Sequence, residues 1–166
     1  AVLDLLDTLR GFNDEGDGRS HLEDAVHQLI CPMRVDSNEL AVDDHNLWIL
    51  DDRLAFFNFF ASDKTIKSYA GADSGREPDI AFFYDSCLAW RESERTSDTV
   101  ILVEFKRPGL ETYTDKNDPF LQLMEYVTLF KSGKTVKDRR GKVISNVGDR
   151  TAFHCYIVAD LTAGLM

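Results

Sequence analysis

The sequence predicts an α/β (α+β) domain in which a small mixed sheet is flanked by helices. Two runs, "PDIAFFYD" at 78–85 and "SDTVILVEFK" at 97–106, contain blocks of consecutive apolar residues typical of interior strands. A run with helical spacing follows at 118–133, and "TAFHCYIVADL" at 151–161 predicts a further buried strand. Strand and helix patterns in one chain indicate a mixed fold.

The length and composition fit one domain. The chain has 166 residues, of which 43% are hydrophobic, enough for one core but not for two. We expect a single domain over residues 1–166 with its core at about 20–160. Because the chain opens on Ala1 and stops at Met166 just after an apolar strand, we expect it to be part of a longer protein.

Several function classes are disfavoured by the composition. No apolar stretch approaches the length of a membrane span, and no leader pattern opens the chain, so we expect a cytoplasmic protein without membrane contact. Three cysteines without metal-type spacing favour reduced structural thiols. The formal net charge of -10 disfavours nonspecific binding to nucleic acid, although it does not exclude a local site.

Four helices are predicted. Residues 1–10 carry one apolar stripe, and 20–30 form a second helix with Ser20 as its N-cap. The helix at 118–133 has Asp118 as its cap and a proline at its first position. The aromatic-rich stretch 46–60 has helical spacing, although its beginning "NLWIL" could equally be a strand. Its aromatic residues favour a core or a subunit interface over base stacking.

An acid and a base stand together at the end of the second strand. Side chains alternate between the faces of a strand, so Glu104 and Lys106 share one face. Asp79 opens the first strand and meets Glu104 if the strands are neighbours. Two carboxylates, the main-chain carbonyl of Phe105 and waters are the oxygen ligands that Mg²⁺ or Mn²⁺ prefers. Lys106 beside such a metal could position or deprotonate an attacking water, which predicts hydrolysis of phosphodiesters.

The "PD" at 78–79 and the "EFK" at 104–106 resemble the PD-(D/E)XK nuclease superfamily, whose restriction-endonuclease-like core is a helix, a small mixed sheet and a helix. The resemblance implies a metal role for Glu23 on the preceding helix. It also implies that Gln122 and Tyr126, one turn apart on the following helix, orient Lys106 or hold the nucleic-acid backbone. The matching elements span about residues 20–160. The run "VEFKRP" is similar to nuclease domains of bacterial anti-phage systems such as Shedu.

The resemblance implies a Mg²⁺- or Mn²⁺-dependent nuclease acting on DNA, in the setting of phage defence. The alternative is a catalytically inactive module with the same fold that senses nucleic acid or serves as an assembly interface. A nucleotide phosphohydrolase would use the same metal chemistry, but no phosphate-binding loop supports it. The acidic net charge fits a domain that relies on other domains of a longer chain, or on a homo-oligomer, to hold DNA.

Other residues have two interpretations each. Glu23 is three positions after Ser20, the spacing of a capping box, so it serves either the metal or the helix end. The basic tract at 131–142 is either a solvated loop or a guide for phosphates, with Arg139 and Arg140 projecting from a hairpin. Arg107 directly follows Lys106 and is the stronger candidate for phosphate contact.

Overall fold

A computed structural model describes residue 4 and residues 19–41, 44–51, 54, 57–85, 96–133, 135–137 and 140–165. The predicted helix at 1–10 therefore lies outside the described residues, except for Asp4, which is helical. Arg139 lies outside them as well. Within the described ranges, no helix combines the length and the apolar character needed to cross a membrane.

The fold is a mixed sheet with helices, as the sequence predicts. The helices are α1 (Arg19–Ile30), α2 (Ile66–Tyr69) and α3 (Pro119–Gly133), with a 3₁₀ turn at Leu47–Ile49. The strands are β1 (Val35–Asp36), β2 (Phe59–Ser62), β3 (Ile80–Asp85), β4 (Thr96–Phe105), β5 (Thr135–Lys137) and β6 (Val143–Val158).

The six strands form one sheet in the order β1-β2-β3-β4-β6-β5. The pairs from β1 to β4 are antiparallel, and so is the pair of β5 and β6. Strands β4 and β6 are parallel, and α3 lies between them in sequence. A parallel pair needs such a long connection because a tight turn can only reverse the chain.

The central strands are buried on both faces. On one face Leu102 and Phe83 pack with Leu123 and Phe130 of α3. On the other face the alternate residues of β3 and β4, including Val103, pack against α1. The alternation follows from the pleat of a strand, and it explains why interior strands read as unbroken apolar runs.

The two long helices follow their predicted limits closely. Helix α1 begins at Arg19 and ends before Pro32. The Asp118 carboxylate accepts hydrogen bonds from the main-chain amides of Phe120, at 2.8 Å, and Leu121, at 3.1 Å. These bonds satisfy amides that lack partners in the first turn of a helix, so Asp118 is the predicted cap of α3.

The helical interpretation of 46–60 is wrong. The described part contains the 3₁₀ turn and the start of β2, where Phe59 and Phe60 are buried in different core clusters. Apolar residues on both faces of an interior strand produce the same dense pattern as a buried helix. Trp48 is 58% exposed and therefore does not belong to the core.

The last strand is longer and less buried than predicted. Strand β6 extends over 16 residues, but β5 pairs only with its beginning, around Val143 to Asn146. Among the described strands the later part pairs only with β4, and His154 and Cys155 are exposed there. Cys155 is therefore a free surface thiol, not a structural one, whereas the free thiol of Cys31 is buried.

The sheet curls so that β5 approaches the segment after α2. Ala70 forms a bridge with Val136, and the Gly71 amide donates to the Thr135 carbonyl at 2.8 Å. At this contact a Cβ on Gly133 would lie 2.7 Å from the Ala72 nitrogen, too close for any side chain. The absence of a side chain at Gly133 therefore allows the curled sheet to close.

A buried histidine joins α1 to β2. His27 Nε2 and the Ser62 hydroxyl share a hydrogen bond of 2.8 Å, and the ring stacks on Phe105 at 4.9 Å between centroids. Burial lowers the pKa of His27 from 6.5 to about 4, although the charges of Asp63 and Asp24 act in the opposite direction. His27 is therefore neutral in the folded protein at neutral pH.

We expect His27 to weaken the fold in acid. Above pH 6.5 neither the folded nor the unfolded state binds the proton, so the stability contribution of His27 is complete. Between pH 6.5 and about 4 the unfolded state is protonated and the folded state is not, so this contribution is lost as the pH falls. The free energy of unfolding should drop by up to about 3 kcal/mol across this window. Urea unfolding at several pH values gives the free energy of unfolding of the wild type and of His27→Gln. We expect this free energy to fall more steeply with decreasing pH in the wild type, and the same pH dependence in both proteins would contradict the assignment.

Candidate active site

The register of β3 and β4 brings the two predicted acids to the same end of the sheet. Ile80 pairs with Val103, so the next position along the antiparallel pair places Asp79 opposite Glu104. Residues directly opposite in such a pair project on the same face. The two strands are neighbours, as the sequence interpretation requires.

Asp79 is tied to the end of β4. Its Oδ2 accepts a hydrogen bond of 2.6 Å from the main-chain amide of Phe105. Burial raises the pKa of Asp79 well above its usual value, and the charge of Glu104 raises it further. The Phe105 amide and Lys106 lower this pKa without cancelling the increase. A cation near these carboxylates would favour their ionised forms.

Glu104 and Lys106 form a buried ion pair. Lys106 Nζ donates to Glu104 Oε1 at 2.6 Å, and the two side chains are 6% and 3% exposed. Burial raises the pKa of Glu104, although Lys106 acts against this increase. The other oxygen of the carboxylate, Oε2, is buried and has no hydrogen-bond partner. A buried acceptor without a partner is costly and indicates an available ligand position.

Gln122 and Tyr126 lie one turn apart on α3. Tyr126 is buried, and its hydroxyl donates to the Glu77 carbonyl at 3.2 Å, two residues before Asp79. Burial raises the pKa of Tyr126, and the charges of Glu104 and Asp79 add to this effect, so its hydroxyl lies within their field. Gln122 Oε1 is buried without a hydrogen-bond partner.

Glu23 reaches the site from α1. Helix α1 begins at Arg19, so Ser20 lies inside the helix and the predicted N-cap is wrong. Glu23 Oε2 instead accepts a hydrogen bond of 3.1 Å from the main-chain amide of Arg107. Its charge contributes to the raised pKa values of Asp79 and Glu104. Among the described residues, no three acidic, His or Cys side chains form a metal-binding group. The metal role of Glu23 stays a prediction.

The predicted phosphate-binding arginines occupy different places. Arg107 is half-buried and directly follows Lys106. Arg140 is exposed in the turn between β5 and β6, which form the predicted hairpin. Arg139 lies outside the described residues. The main-chain amide of Arg107 contacts Glu23, a residue of the site.

The segment before Asp79 is held to α3 by contacts that the sequence analysis missed. Arg76 binds Glu125 through two bonds of 2.9 Å, from Nε to Oε1 and from Nη2 to Oε2. Together with the Tyr126 bond to the Glu77 carbonyl, this ion pair fixes the chain that enters β3. Both contacts join residues 49 apart, and no local pattern announces such a pair.

The donor set fits a hard divalent cation. Asp79 and Glu104 supply carboxylate oxygens, the Phe105 carbonyl is a further candidate donor, and Glu104 Oε2 has no protein partner. Such oxygen ligands suit Mg²⁺ or Mn²⁺. Lys106 is the nearby cation that compensates one of the two carboxylates.

We expect Asp79→Asn to stabilise the metal-free protein. The amide oxygen can still accept from the Phe105 amide, while the cost of a buried charge disappears. The pKa of Asp79 is raised in the folded state, so folding favours its protonated form. The contribution of Asp79 to stability is therefore complete below the usual pKa of 3.8 and is lost as the pH rises. The variant should therefore gain roughly 0.5–2 kcal/mol at pH 7.

Urea unfolding in EDTA at pH 7 and at acid pH measures this gain, which should shrink in acid. Asp73→Asn is the matched control, because Asp73 is exposed and pairs with Lys67 at the surface. A variant at Asp79 that is less stable than the wild type at pH 7 would show that the carboxylate stabilises the fold.

Comparison of the chain with protein-family models, with curated proteins and with solved structures finds no match to any of them.

Proposed function

We propose that the chain is a metal-dependent nuclease domain with a PD-(D/E)XK core, which hydrolyses phosphodiester bonds in DNA. The observation that carries the proposal is the convergence of Asp79, Glu104 and Lys106 at one end of two neighbouring strands, with an unpartnered carboxylate oxygen in their midst. Sequence spacing motivates the same three residues independently.

The order of the elements supports this proposal. A helix precedes the sheet, the Lys strand β4 is central, and the following helix α3 carries Gln122 and Tyr126. This is the order of helix, mixed sheet and helix that the resemblance implies. Glu23 also lies at the site, although its carboxylate binds the Arg107 amide.

Asp79 and Glu104 are the residues that would hold the cation, with the Phe105 carbonyl as a further donor. When bound, Mg²⁺ or Mn²⁺ would stabilise the charge on the phosphate and lower the pKa of water. The raised pKa values of both acids indicate that the site is poised for a positive charge, since a cation favours their ionised forms.

Lys106 has the position of a water-directing residue. Its amine is held by Glu104 Oε1, which leaves two of its three protons for a water or a phosphate oxygen. Tyr126 is a positioning residue, because its hydrogen bond to the Glu77 carbonyl fixes the backbone just before Asp79. Gln122, with its unpartnered Oε1, can accept a hydrogen bond from a water beside Lys106.

DNA enters the proposal through the resemblance, as does a role in phage defence similar to that of Shedu nuclease domains. Arg107 next to Lys106 and the exposed Arg140 supply cations for the phosphate backbone. The net charge of -10 opposes nonspecific DNA binding, so further domains of a longer chain or a homo-oligomer would supply the remaining affinity.

Incubation with linear and circular DNA in Mg²⁺, Mn²⁺ or EDTA tests the nuclease. We expect cutting that requires metal and that falls by at least about 100-fold in Glu104→Gln and Lys106→Met, because each removes a polar group from the reacting centre. Lys67→Met is the control, since Lys67 forms an exposed ion pair elsewhere. Circular dichroism confirms that the variants are folded. Metal-dependent cutting that persists in both variants would refute the assignment of the site.

A second candidate function is a noncatalytic module with the same fold. It is favoured by the closed Lys106–Glu104 pair and by the lack of a three-residue metal group among the described residues. Calorimetric titration with Mn²⁺ separates the two: saturable binding that is lost in Asp79→Asn supports the nuclease. No binding of metal together with retained binding of DNA supports the module.

A further inference from the structure

A polar cavity of about 330 Å³ lies where the two edges of the curled sheet approach each other. We call it the seam cavity. It brings together Asp36 of β1 and Lys137 of β5, which belong to opposite edge strands. Other residues of its lining are Asp63, Thr65, Tyr69 and Glu77. A volume of this size accommodates a small ligand.

The seam cavity adjoins the candidate active site. The Asp63 amide donates to the Asp79 carbonyl at 2.9 Å, so one wall of the cavity is bonded to a proposed metal-binding residue. Glu77, in another wall, is two residues before Asp79, and its carbonyl accepts the hydrogen bond of Tyr126. A ligand in the cavity would therefore lie near the proposed metal site at Asp79 and Glu104.

The lining suits a neutral ligand that both donates and accepts hydrogen bonds. Asp63 and Glu77 contribute carboxylates, and Thr65 contributes a hydroxyl. Lys64 also lines the cavity, but its charge is compensated by Asp36 at 3.0 Å and by Glu39 at 2.6 Å. The acidic side chains disfavour a phosphate group there.

Tyr69 gives the cavity an unused donor. The residue is 4% exposed, and its hydroxyl has no hydrogen-bond partner. Burial raises the pKa of Tyr69, and the charges of Tyr126 and Glu77 add to this increase. An unsatisfied buried hydroxyl costs free energy. A ligand that accepts a hydrogen bond from it therefore gains more binding free energy than an average hydrogen bond provides.

We propose that the seam cavity binds an unpaired nucleobase of the substrate strand, next to the proposed metal site at Asp79 and Glu104. This inference rests on the proposed nuclease function. The ring nitrogens and carbonyl oxygens of a base accept from Tyr69 and Lys137, and its amino groups donate to Glu77 or Asp63. A base stacked inside a duplex cannot enter, so the preferred substrate is single-stranded or locally unpaired nucleic acid.

Titration with the four nucleoside 5′-monophosphates in EDTA tests the cavity directly. We expect amide NMR shifts concentrated at Thr65, Tyr69 and Lys137, with a dissociation constant that increases on the order of five- to tenfold in Tyr69→Phe. This variant removes one unpartnered oxygen and should fold. Tyr113→Phe is the matched control, because Tyr113 lies outside the cavity. Equal shifts with inorganic phosphate alone, or no shifts in these residues, would overturn the inference.

Cleavage assays separate this inference from the nuclease itself. If the wild type cuts single-stranded DNA faster than the duplex, and Tyr69→Phe reduces this preference for single strands, the result supports both the nuclease and the base-binding cavity. Equal cutting of the two substrates by the wild type and by the variant leaves the nuclease standing and refutes the cavity. Base binding in EDTA without cutting in Mn²⁺ by the wild type supports the cavity and refutes the nuclease.

Discussion

The hydrogen bond from the Phe105 amide to the Asp79 carboxylate fixes the geometry on which the candidate site depends. It continues the β3–β4 pairing one step beyond the last main-chain pair, and it does so with a charged acceptor whose pKa is raised by burial. The same bond also sets the positions of Glu104 and Lys106, which precede and follow Phe105 in the sequence and share one face of the strand. A shift of one residue in this register would send both side chains to the opposite face.

The buried polar groups of the site are unfavourable for folding, and apolar packing elsewhere in the fold offsets them. Two acids with raised pKa values and the unpartnered buried oxygens of Glu104 and Gln122 oppose folding. The aromatic residues of β2 and β3, packed on both faces of the sheet, supply the compensating burial. A strand end with a purely structural role would be more stable with an apolar pair, so the presence of these buried groups favours a chemical role for them.

The sequence was sufficient where the information is local. Helices α1 and α3 follow from spacing and from the Asp118 cap, and strands β3 and β4 follow from their apolar runs. From these strands the meeting of Asp79 with Glu104 could be derived. Strand β2 was hidden, because Phe59 and Phe60 face opposite sides and their pattern equals that of a helix. The place of Tyr69 in the cavity and the Arg76–Glu125 pair could not be found, since both depend on contacts between segments far apart in sequence.

The contact around Gly133 has a consequence for how the protein assembles. The curled sheet closes when β5 reaches the chain after Tyr69, which joins segments far apart in sequence. Such closure carries a loop-entropy cost, so we expect it to form after the more local pairings of β2 to β4. The meander β2–β4 can therefore bring Asp79 to Glu104 early, whereas the walls around Lys137 are completed only at the end. A chain interrupted before β5 during synthesis would already hold its acidic pair without a complete neighbouring cavity.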